Sequence, residues 1–170
     1  MELTISIATE NDADVLNVLI NGAYRGDHSR KGWTTEADLL DGLRTDAANI
    51  IELMRKPNAD FLKCGNDKEI LGCVYLEQQQ QKIYLGFLSV SPEHQAFGIG
   101  KKLLLAADDY AKEKNCTSVY MTVITLRPEL IAWYKRNGYH ETGETKPFPS
   151  NDKFAIPKQP LQLAVLEKNI

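Results

Sequence analysis

The feature that most constrains the fold is a strand, a glycine turn and a helix that follow one another between residues 82 and 114. Residues 82–90 are rich in aromatic and branched apolar side chains, which is typical of a buried strand. Pro92 ends this strand because its nitrogen has no hydrogen to donate to a neighbouring strand. Gly98 and Gly100 then open a helix with a single apolar face. That face is formed by Leu103, Leu104, Ala107 and Ala111.

The glycine turn has the properties of an anion site. The first turn of a helix carries unpaired N–H groups, and the helix dipole favours negative charge there. Gly98 and Gly100 leave the backbone open to a phosphate, and Lys101 and Lys102 add positive charge. The spacing excludes a P-loop and a Gly-x-Gly-x-x-Gly turn, because residue 103 is leucine and no Gly-Lys-Ser/Thr follows. Two interpretations remain at this point: a phosphate site, or a tight connection without a ligand.

Two motifs in this region carry a family resemblance. The first, Gln95-Ala96-Phe97-Gly98-Ile99-Gly100, resembles the Gln/Arg-x-x-Gly-x-Gly/Ala motif of the GNAT superfamily of N-acetyltransferases. The second, Ala132-Trp133-Tyr134-Lys135-Arg136-Asn137-Gly138-Tyr139, is similar to that superfamily's tyrosine four residues before Gly-Phe/Tyr. Both stand in the expected order and at roughly the expected distance. The resemblance covers most of the chain in topology, although the motifs occupy only residues 85–139.

The order of the apolar periodicities predicts the fold class. Strand and helix patterns alternate as β-α-α-β-β-β-α-β-α-β-β, which indicates an α+β fold. The GNAT fold has the same element order. The resemblance therefore implies a mixed, mostly antiparallel central sheet of about six to seven strands flanked by helices. We expect residues 1–170 to form a single N-acetyltransferase domain.

The resemblance also implies how acetyl-CoA is bound. In this family the pyrophosphate lies on the loop that corresponds to residues 95–101, and the pantetheine arm runs along residues 88–90. An extended ligand with amide groups can pair with a strand as an added strand does. The alternative is that residues 88–90 only end a core strand. The implied cofactor-binding residues are Leu88, Ser89, Val90, Gln95, Ala96, Phe97, Gly98, Ile99, Gly100 and Lys101.

Tyr134 is the candidate general acid. Attack of an amine on the thioester expels a thiolate, which a nearby phenol can protonate. The alternative is that Tyr134 is a core aromatic on the helix that carries Trp133. Many family members have an asparagine seven residues before this tyrosine, where it contacts the pantetheine. Here that position holds Arg127, which we include among the cofactor-binding residues because it can reach a phosphate, although it can also cap a surface turn.

The general base is not assignable from the sequence. An ammonium group must lose a proton before it attacks, either to a side chain or through water. The candidates are Glu77, Glu93, His94 and His28, and each can also be an ordinary surface residue. No Ser-His-Asp arrangement and no cluster with metal-ligand spacing is present, so we expect no metal.

Charge, cysteines and hydropathy restrict the partners and the compartment. A chain of 170 residues with 43% hydrophobic and 25% charged residues suits a soluble globular domain. The net charge of −3 does not point to nucleic acid or an anionic membrane. Cys64, Cys73 and Cys116 form no Cys-x-x-Cys pair and are typical of reduced thiols. Without a signal-peptide pattern or an apolar run long enough to span a bilayer, we expect a cytoplasmic protein.

The predicted reaction is acetylation of a primary amine on a small molecule or a peptide, and a homodimer is one option for assembly. We expect the loops at residues 25–33 and 146–156 to select the acceptor. Trp33 either frames the acceptor pocket or packs as a hydrophobic staple on a helix capped by Thr34 or Thr35. That helix would carry Leu39, Leu40 and Leu43.

Two functions of other classes remain as alternatives. The first is a non-catalytic acyl-CoA-binding regulatory module, against which Tyr134 argues. The second is a generic nucleotide-binding protein, against which the absence of P-loop and dinucleotide-binding spacings argues. A thiol-release assay with acetyl-CoA and a panel of amines distinguishes all three.

Overall fold

The computed structural model describes residues 2–25, 29, 32, 35–149, 154 and 156–170. The helices and strands are β1 (Thr4–Ile7), α1 (Ala13–Tyr24), β2 (Leu40–Asp41), α2 (Ala47–Met54), β3 (Ala59–Gly65), β4 (Ile70–Gln79), β5 (Lys82–Val90), α3 (Ile99–Glu113), β6 (Ser118–Ile124), α4 (Pro128–Arg136), β7 (His140–Pro147), β8 (Ile156–Pro157) and β9 (Gln162–Asn169). A 3₁₀ turn, Pro92–Phe97, connects β5 to the start of α3.

Seven strands form one twisted sheet in the order β1-β3-β4-β5-β6-β9-β7. β5 and β6 run parallel, and the other neighbouring strands of this sheet are antiparallel. The short strands β2 and β8 pair with each other in a separate ladder. This arrangement confirms the predicted α+β class and the mixed, mostly antiparallel sheet flanked by helices.

Helices cover both faces of the sheet and create two apolar cores. Side chains alternate between the faces along a strand, so Phe61 and Tyr75 face α1 and α2, whereas Leu62 and Leu76 face α3. Because both faces are covered, β4 is an almost continuous apolar run rather than an alternating one. Each fully buried side chain of this size, such as Phe61, contributes ~1.5–3 kcal/mol to stability.

The helix predicted after Thr34 or Thr35 is wrong. Thr34 lies outside the described residues, and the Thr35 hydroxyl accepts a hydrogen bond from the Ala37 N–H, which makes a single turn instead of a helix. The chain then extends into β2, where Leu40 lies opposite Pro157 of β8. Gly42 follows with φ of 86°, which no right-handed helix contains. A pairing partner more than a hundred residues away has therefore overridden the local helical pattern of leucines.

Candidate functional site

The parallel strands β5 and β6 separate in the middle of the sheet. They pair only from Lys82 to Tyr84 on β5, after which β6 continues along β9 alone. Within the described residues, β5 therefore has an edge toward β6 that no strand covers beyond Tyr84. Unpaired backbone groups at such an edge require another partner. The sheet thus contains an internal cleft whose wall can pair with an extended ligand.

A β-bulge bends β5 at this cleft. Cys73 of β4 lies opposite Ser89, but Tyr75 lies opposite Gly86, so two residues of β5 face one of β4. The bulged pair includes Phe87, whose φ of 54° is a left-handed conformation that costs a non-glycine residue on the order of 1–3 kcal/mol. The ring of Phe87 packs 6.0 Å from that of Phe61, which helps to hold the bulge. The bulge re-aims the end of β5 relative to β6.

The last residues of β5 direct backbone groups into the cleft. The Ser91 N–H donates to the Leu71 carbonyl across the β4–β5 ladder, so Val90, one residue earlier, turns its own N–H and C=O away from β4. The Val90 carbonyl accepts a hydrogen bond from Gln95 Nε2 at 3.2 Å. The Leu88 carbonyl accepts one from the Tyr24 hydroxyl of α1.

A small cavity of about 30 Å³ brings together residues from both sequence motifs. Its lining consists of Tyr24, Leu88, Val90, Gln95, Gly100, Leu130, Trp133 and Tyr134. Five of these were predicted as site residues from the sequence, and the structure places them around one space although they lie up to 46 positions apart (from 88 to 134). Tyr24, Leu130 and Trp133 were not predicted for this role, because only the packing of α1 and α4 over the end of β5 brings them there.

Tyr134 keeps its proton at neutral pH. Its side chain is almost fully buried, and that burial raises the pKa of the phenol well above its usual value of 10. The nearby hydroxyls of Tyr24 and Tyr139 raise the pKa further, while the charge of Arg127 lowers it. A protonated phenol is a hydrogen-bond donor and can give up its proton to a more basic group that forms beside it.

The glycine turn presents the start of α3 to solvent. Gly98 takes φ of 74° and ψ of 13°, and no side chain caps the helix. The first helical hydrogen bond runs from the Lys102 N–H to the Gly98 carbonyl, so the preceding N–H groups of the first turn have no partner within the helix. No acidic residue stands in that turn, and Lys101 is exposed beside it. The turn therefore has the charge and geometry that favour a bound anion.

Four residues of this region that were predicted to bind the cofactor have side chains that are either buried in the core or exposed on the protein surface. Ile99 is fully buried in the core beneath the turn, and Ser89 is fully buried with its hydroxyl donating to the Phe87 carbonyl at 2.8 Å. Ala96 and Phe97 are exposed on the surface of the 3₁₀ turn. Their assignment to the cofactor remains a prediction.

A larger cavity of about 380 Å³ continues from the small one between the diverging ends of β5 and β6. Both cavities share Tyr24, Leu88, Leu130 and Tyr134. The additional polar lining consists of Arg25, Glu36, Arg44, Asn49, Thr122 and Arg127. Phe148, Pro149 and Phe154 complete it from the chain around residues 146–156, one of the two loops predicted to select the acceptor.

Arg127 lies in the larger cavity rather than beside the glycine turn. It is 3% exposed at the position before α4, so it does not cap a surface turn. Its Nε lies 3.9 Å from the Glu129 Oε1, a long ion pair to an exposed carboxylate. Its predicted role as a cofactor-binding residue stays a prediction, and its position favours contact with groups close to Tyr134.

The described candidates for the general base do not line either cavity. Glu77 accepts hydrogen bonds from Tyr75 and Gln79, and Glu93 and His94 bond to Ser91. His28 and Trp33 lie outside the described residues. The carboxylate that does line the larger cavity is Glu36, which pairs with Arg25 at 3.0 Å. No motif marks Glu36 in the sequence, because its position depends on the turn between α1 and β2.

The described part of the chain holds neither a cluster of metal ligands nor a helix fit to span a membrane. No group of three or more His, Cys, Asp or Glu side chains there has the geometry to hold a metal ion. None of its helices combines the length and the apolarity that crossing a bilayer requires.

Comparison with known proteins gives consistent results. The sequence model of the Acetyltransferase (GNAT) family matches residues 19–139. Among curated proteins, N-acetyltransferase 8F1 of Rattus norvegicus is 26% identical over 108 residues, which cover 60% of this chain and 49% of that protein. The chain thus spans about half the length of the curated relatives it matches.

Solved structures share the fold over nearly the whole chain. The ribosomal-protein-S18-alanine N-acetyltransferase of Escherichia coli superimposes with a TM-score of 0.73 at 13% identity, covering 99% of this chain and 94% of that one. The PaiA N-acetyltransferase of Thermoplasma acidophilum, solved in complex with coenzyme A, gives a TM-score of 0.68 at 19% identity and full coverage of both chains, 100% each. At these identities the likeness shows the fold alone.

Proposed function

The chain belongs to the GNAT family of acetyltransferases, and on this premise we propose that it transfers an acetyl group from acetyl-CoA to a primary amine. One observation carries the proposal: the uncovered edge of β5, the glycine turn and Tyr134 meet at a single cavity. The seven-stranded sheet draws strands from Thr4 to Asn169, which supports a single N-acetyltransferase domain.

The residues around the cleft fit acetyl-CoA. The edge of β5 offers the Val90 backbone to an amide-bearing arm, as in β-strand addition. The start of α3 offers N–H groups and Lys101 to a pyrophosphate. Apart from Gly98 itself and its chain neighbours, no described residue has an atom within 4 Å of where a Cβ on Gly98 would stand, so this space is open to a phosphate as far as the described residues show.

Bound acetyl-CoA would supply a thioester with an electrophilic carbonyl carbon. The ammonium group loses one proton to solvent or to a base, and the free amine nitrogen forms the new C–N bond. The C–S bond then breaks and the nitrogen loses a second proton to solvent. We assign Tyr134 to donate its proton to the departing sulfur, so that the products are the amide and the free thiol. The phenol then regains a proton from solvent. Burial of Tyr134 supports its role as a donor because it keeps the phenol protonated, so that its O–H can form a hydrogen bond to the sulfur as negative charge develops there.

Calorimetry and a thiol assay test the proposal. The protein should bind CoA in isothermal titration calorimetry and should release free thiol from acetyl-CoA only when an amine is present. Mass spectrometry should then show an amine heavier by one acetyl group. Binding of CoA without amine-dependent thiol release, over a broad panel of amines, would favour the acyl-CoA-binding regulatory module. Absence of CoA binding by folded protein would refute both functions.

A further inference from the structure

The larger cavity carries an excess of positive charge. Among the described residues that line it, Arg25, Arg44 and Arg127 are cationic and Glu36 is the single acid. Arg25 is bound by Glu36 at 3.0 Å and donates to the Phe154 carbonyl at 2.8 Å, so it serves to hold the cavity wall. Arg44 and Arg127 are the other two cations of this lining.

Arg44 is placed for a ligand rather than for a protein carboxylate. Its guanidinium lies 4.2 Å from the ring centre of Phe87 and 5.8 Å from that of Tyr24. In the part of the chain that the structure describes, Arg44 takes part in no ion pair. A guanidinium stacked on aromatic faces still directs its N–H groups outward in its plane, where they can grip a carboxylate through two parallel hydrogen bonds.

The backbone of Arg44 is fixed to α1. Its N–H donates to Asn21 Oδ1 at 2.6 Å, and Asn21 Nδ2 donates to the Thr45 carbonyl at 3.0 Å. A single asparagine therefore clamps the segment on both sides of Arg44. A cation on a fixed segment loses less conformational freedom when it binds a ligand than one on a loose loop does.

Arg127 adds a second cation close to the predicted general acid. It is buried, and its charge acts on both the Tyr24 and the Tyr134 phenols. The remaining walls are largely apolar and include Tyr84, Met121 and Leu163. A volume of about 380 Å³ accommodates a small molecule with an apolar group.

We propose that the acceptor is a primary amine that also carries a carboxylate and an apolar group, as α-amino acids do, and that Arg44 binds the carboxylate. This inference rests on the proposed acetyltransferase function and names its substrate class. It predicts that polyamines are poor acceptors, because a second ammonium group would face the guanidinium groups of Arg44 and Arg127 in the same cavity.

Matched acceptors test the role of the carboxylate. L-phenylalanine, L-phenylalaninamide, 2-phenylethylamine and spermidine are compared by kcat/KM, together with the other apolar amino acids and their amides. We expect the amino acids to exceed their amides by at least about 10-fold, in line with the strength of a charge-assisted bidentate pair. Equal use of acids and amides, or a preference for spermidine, would overturn the inference.

Variants at Arg44 test the residue itself. Arg44→Gln should lower kcat/KM for the amino acids by roughly 10–100-fold, mainly through KM, and the loss for 2-phenylethylamine should be much smaller. Arg44→Lys should recover part of the loss, since it keeps the charge without the fork. Arg55→Gln is the matched control, because Arg55 pairs with Glu10 on the surface, far from the cavity lining. Equal losses for every acceptor would contradict the proposed role.

The proposed substrate class and the proposed acetyltransferase function are refuted by different results. Calorimetry with CoA on wild type and on both Arg44 variants should give the same affinity, and circular dichroism should show that both variants are folded. If CoA binds and amines without a carboxylate are acetylated best, the substrate class is wrong and the acetyltransferase function stands. If CoA binds but no carboxylate-bearing amine in the panel is acetylated, the substrate class is also wrong. If CoA does not bind, the proposed function itself fails.

Discussion

The sharpest test of the site is removal of one oxygen atom from Tyr134. Tyr134→Phe keeps the ring that packs edge-on against Trp133 and Tyr139, at centroid distances of 5.0 and 5.8 Å. Because the ring and its burial are retained, the free energy of unfolding should stay within about 1 kcal/mol of wild type. Loss of a general acid should lower kcat by roughly 10²–10⁴-fold, equivalent to about 2.7–5.4 kcal/mol of barrier.

Tyr139→Phe is the matched control on the next aromatic ring. The Tyr139 hydroxyl is buried and has no hydrogen-bond partner among the described residues. Its removal eliminates an uncompensated polar group, so the variant should be as stable as wild type or slightly more stable. The turnover of Tyr139→Phe should equal that of wild type, because Tyr139 lies outside the lining of both cavities.

The assay follows thiol release with a thiol-reactive dye at saturating acetyl-CoA, and calorimetry with CoA checks that binding is intact. Since burial raises the pKa of Tyr134 well above 10, the wild-type rate should show no alkaline decline from this residue below pH 10. Wild-type turnover in Tyr134→Phe would refute the role of the hydroxyl. The same loss in Tyr139→Phe would show that packing, rather than proton donation, explains the effect.

Three further predictions concern the glycine turn, a carboxylate and a thiol. Gly98→Ala should lower the free energy of unfolding in urea by about 1–2 kcal/mol, because Gly98 has φ of 74° and the strain is not relieved or increased by neighbouring atoms. Gly98→Asn should lower it less, because asparagine tolerates this conformation better. An unchanged free energy of unfolding in Gly98→Ala would contradict the prediction. The hydrogen bond from Tyr75 holds the pKa of Glu77 below its ordinary 4.5, so stability from this pair is present above that pH and is lost as pH falls through the lowered pKa. Tyr75→Phe should therefore lower the urea midpoint at neutral pH more than at a pH well below 4.5, and an equal effect at both would refute the link. Burial raises the pKa of the Cys73 thiol to about 12, so iodoacetamide should label Cys73 in urea and spare it in the native protein, as mass spectrometry can show.

The sequence predicted the elements whose causes are local. Residues 82–90 form β5, as predicted, and Gly98 and Gly100 stand at the start of α3, where the sequence predicts a helix. Apolar periodicity and turn chemistry act within a few residues, so they can be interpreted without the fold. Leu40 pairs with Pro157 of β8, a distant residue, and there the local pattern wrongly predicted a helix.

In the candidate site too, the sequence predicted the features with local causes and missed those that depend on distant residues. The two motifs predicted the glycine turn and Tyr134, and the structure brings Gly100 and Tyr134 to one cavity. The sequence contained no sign that β5 and β6 would separate after Tyr84, because the end of a ladder depends on a bulge and on the register of two neighbouring strands.

The sequence by itself determined the fold class and predicted the glycine turn and Tyr134, because each depends on spacing along the chain. Only the tertiary structure decided that Arg44, Arg127 and Tyr24 face one cavity. These residues come from the segment after β2, the start of α4 and the end of α1, and no periodicity links them. Side chains from separate elements meet only once the sheet and helices have packed, so a binding surface made from them is a property of the fold.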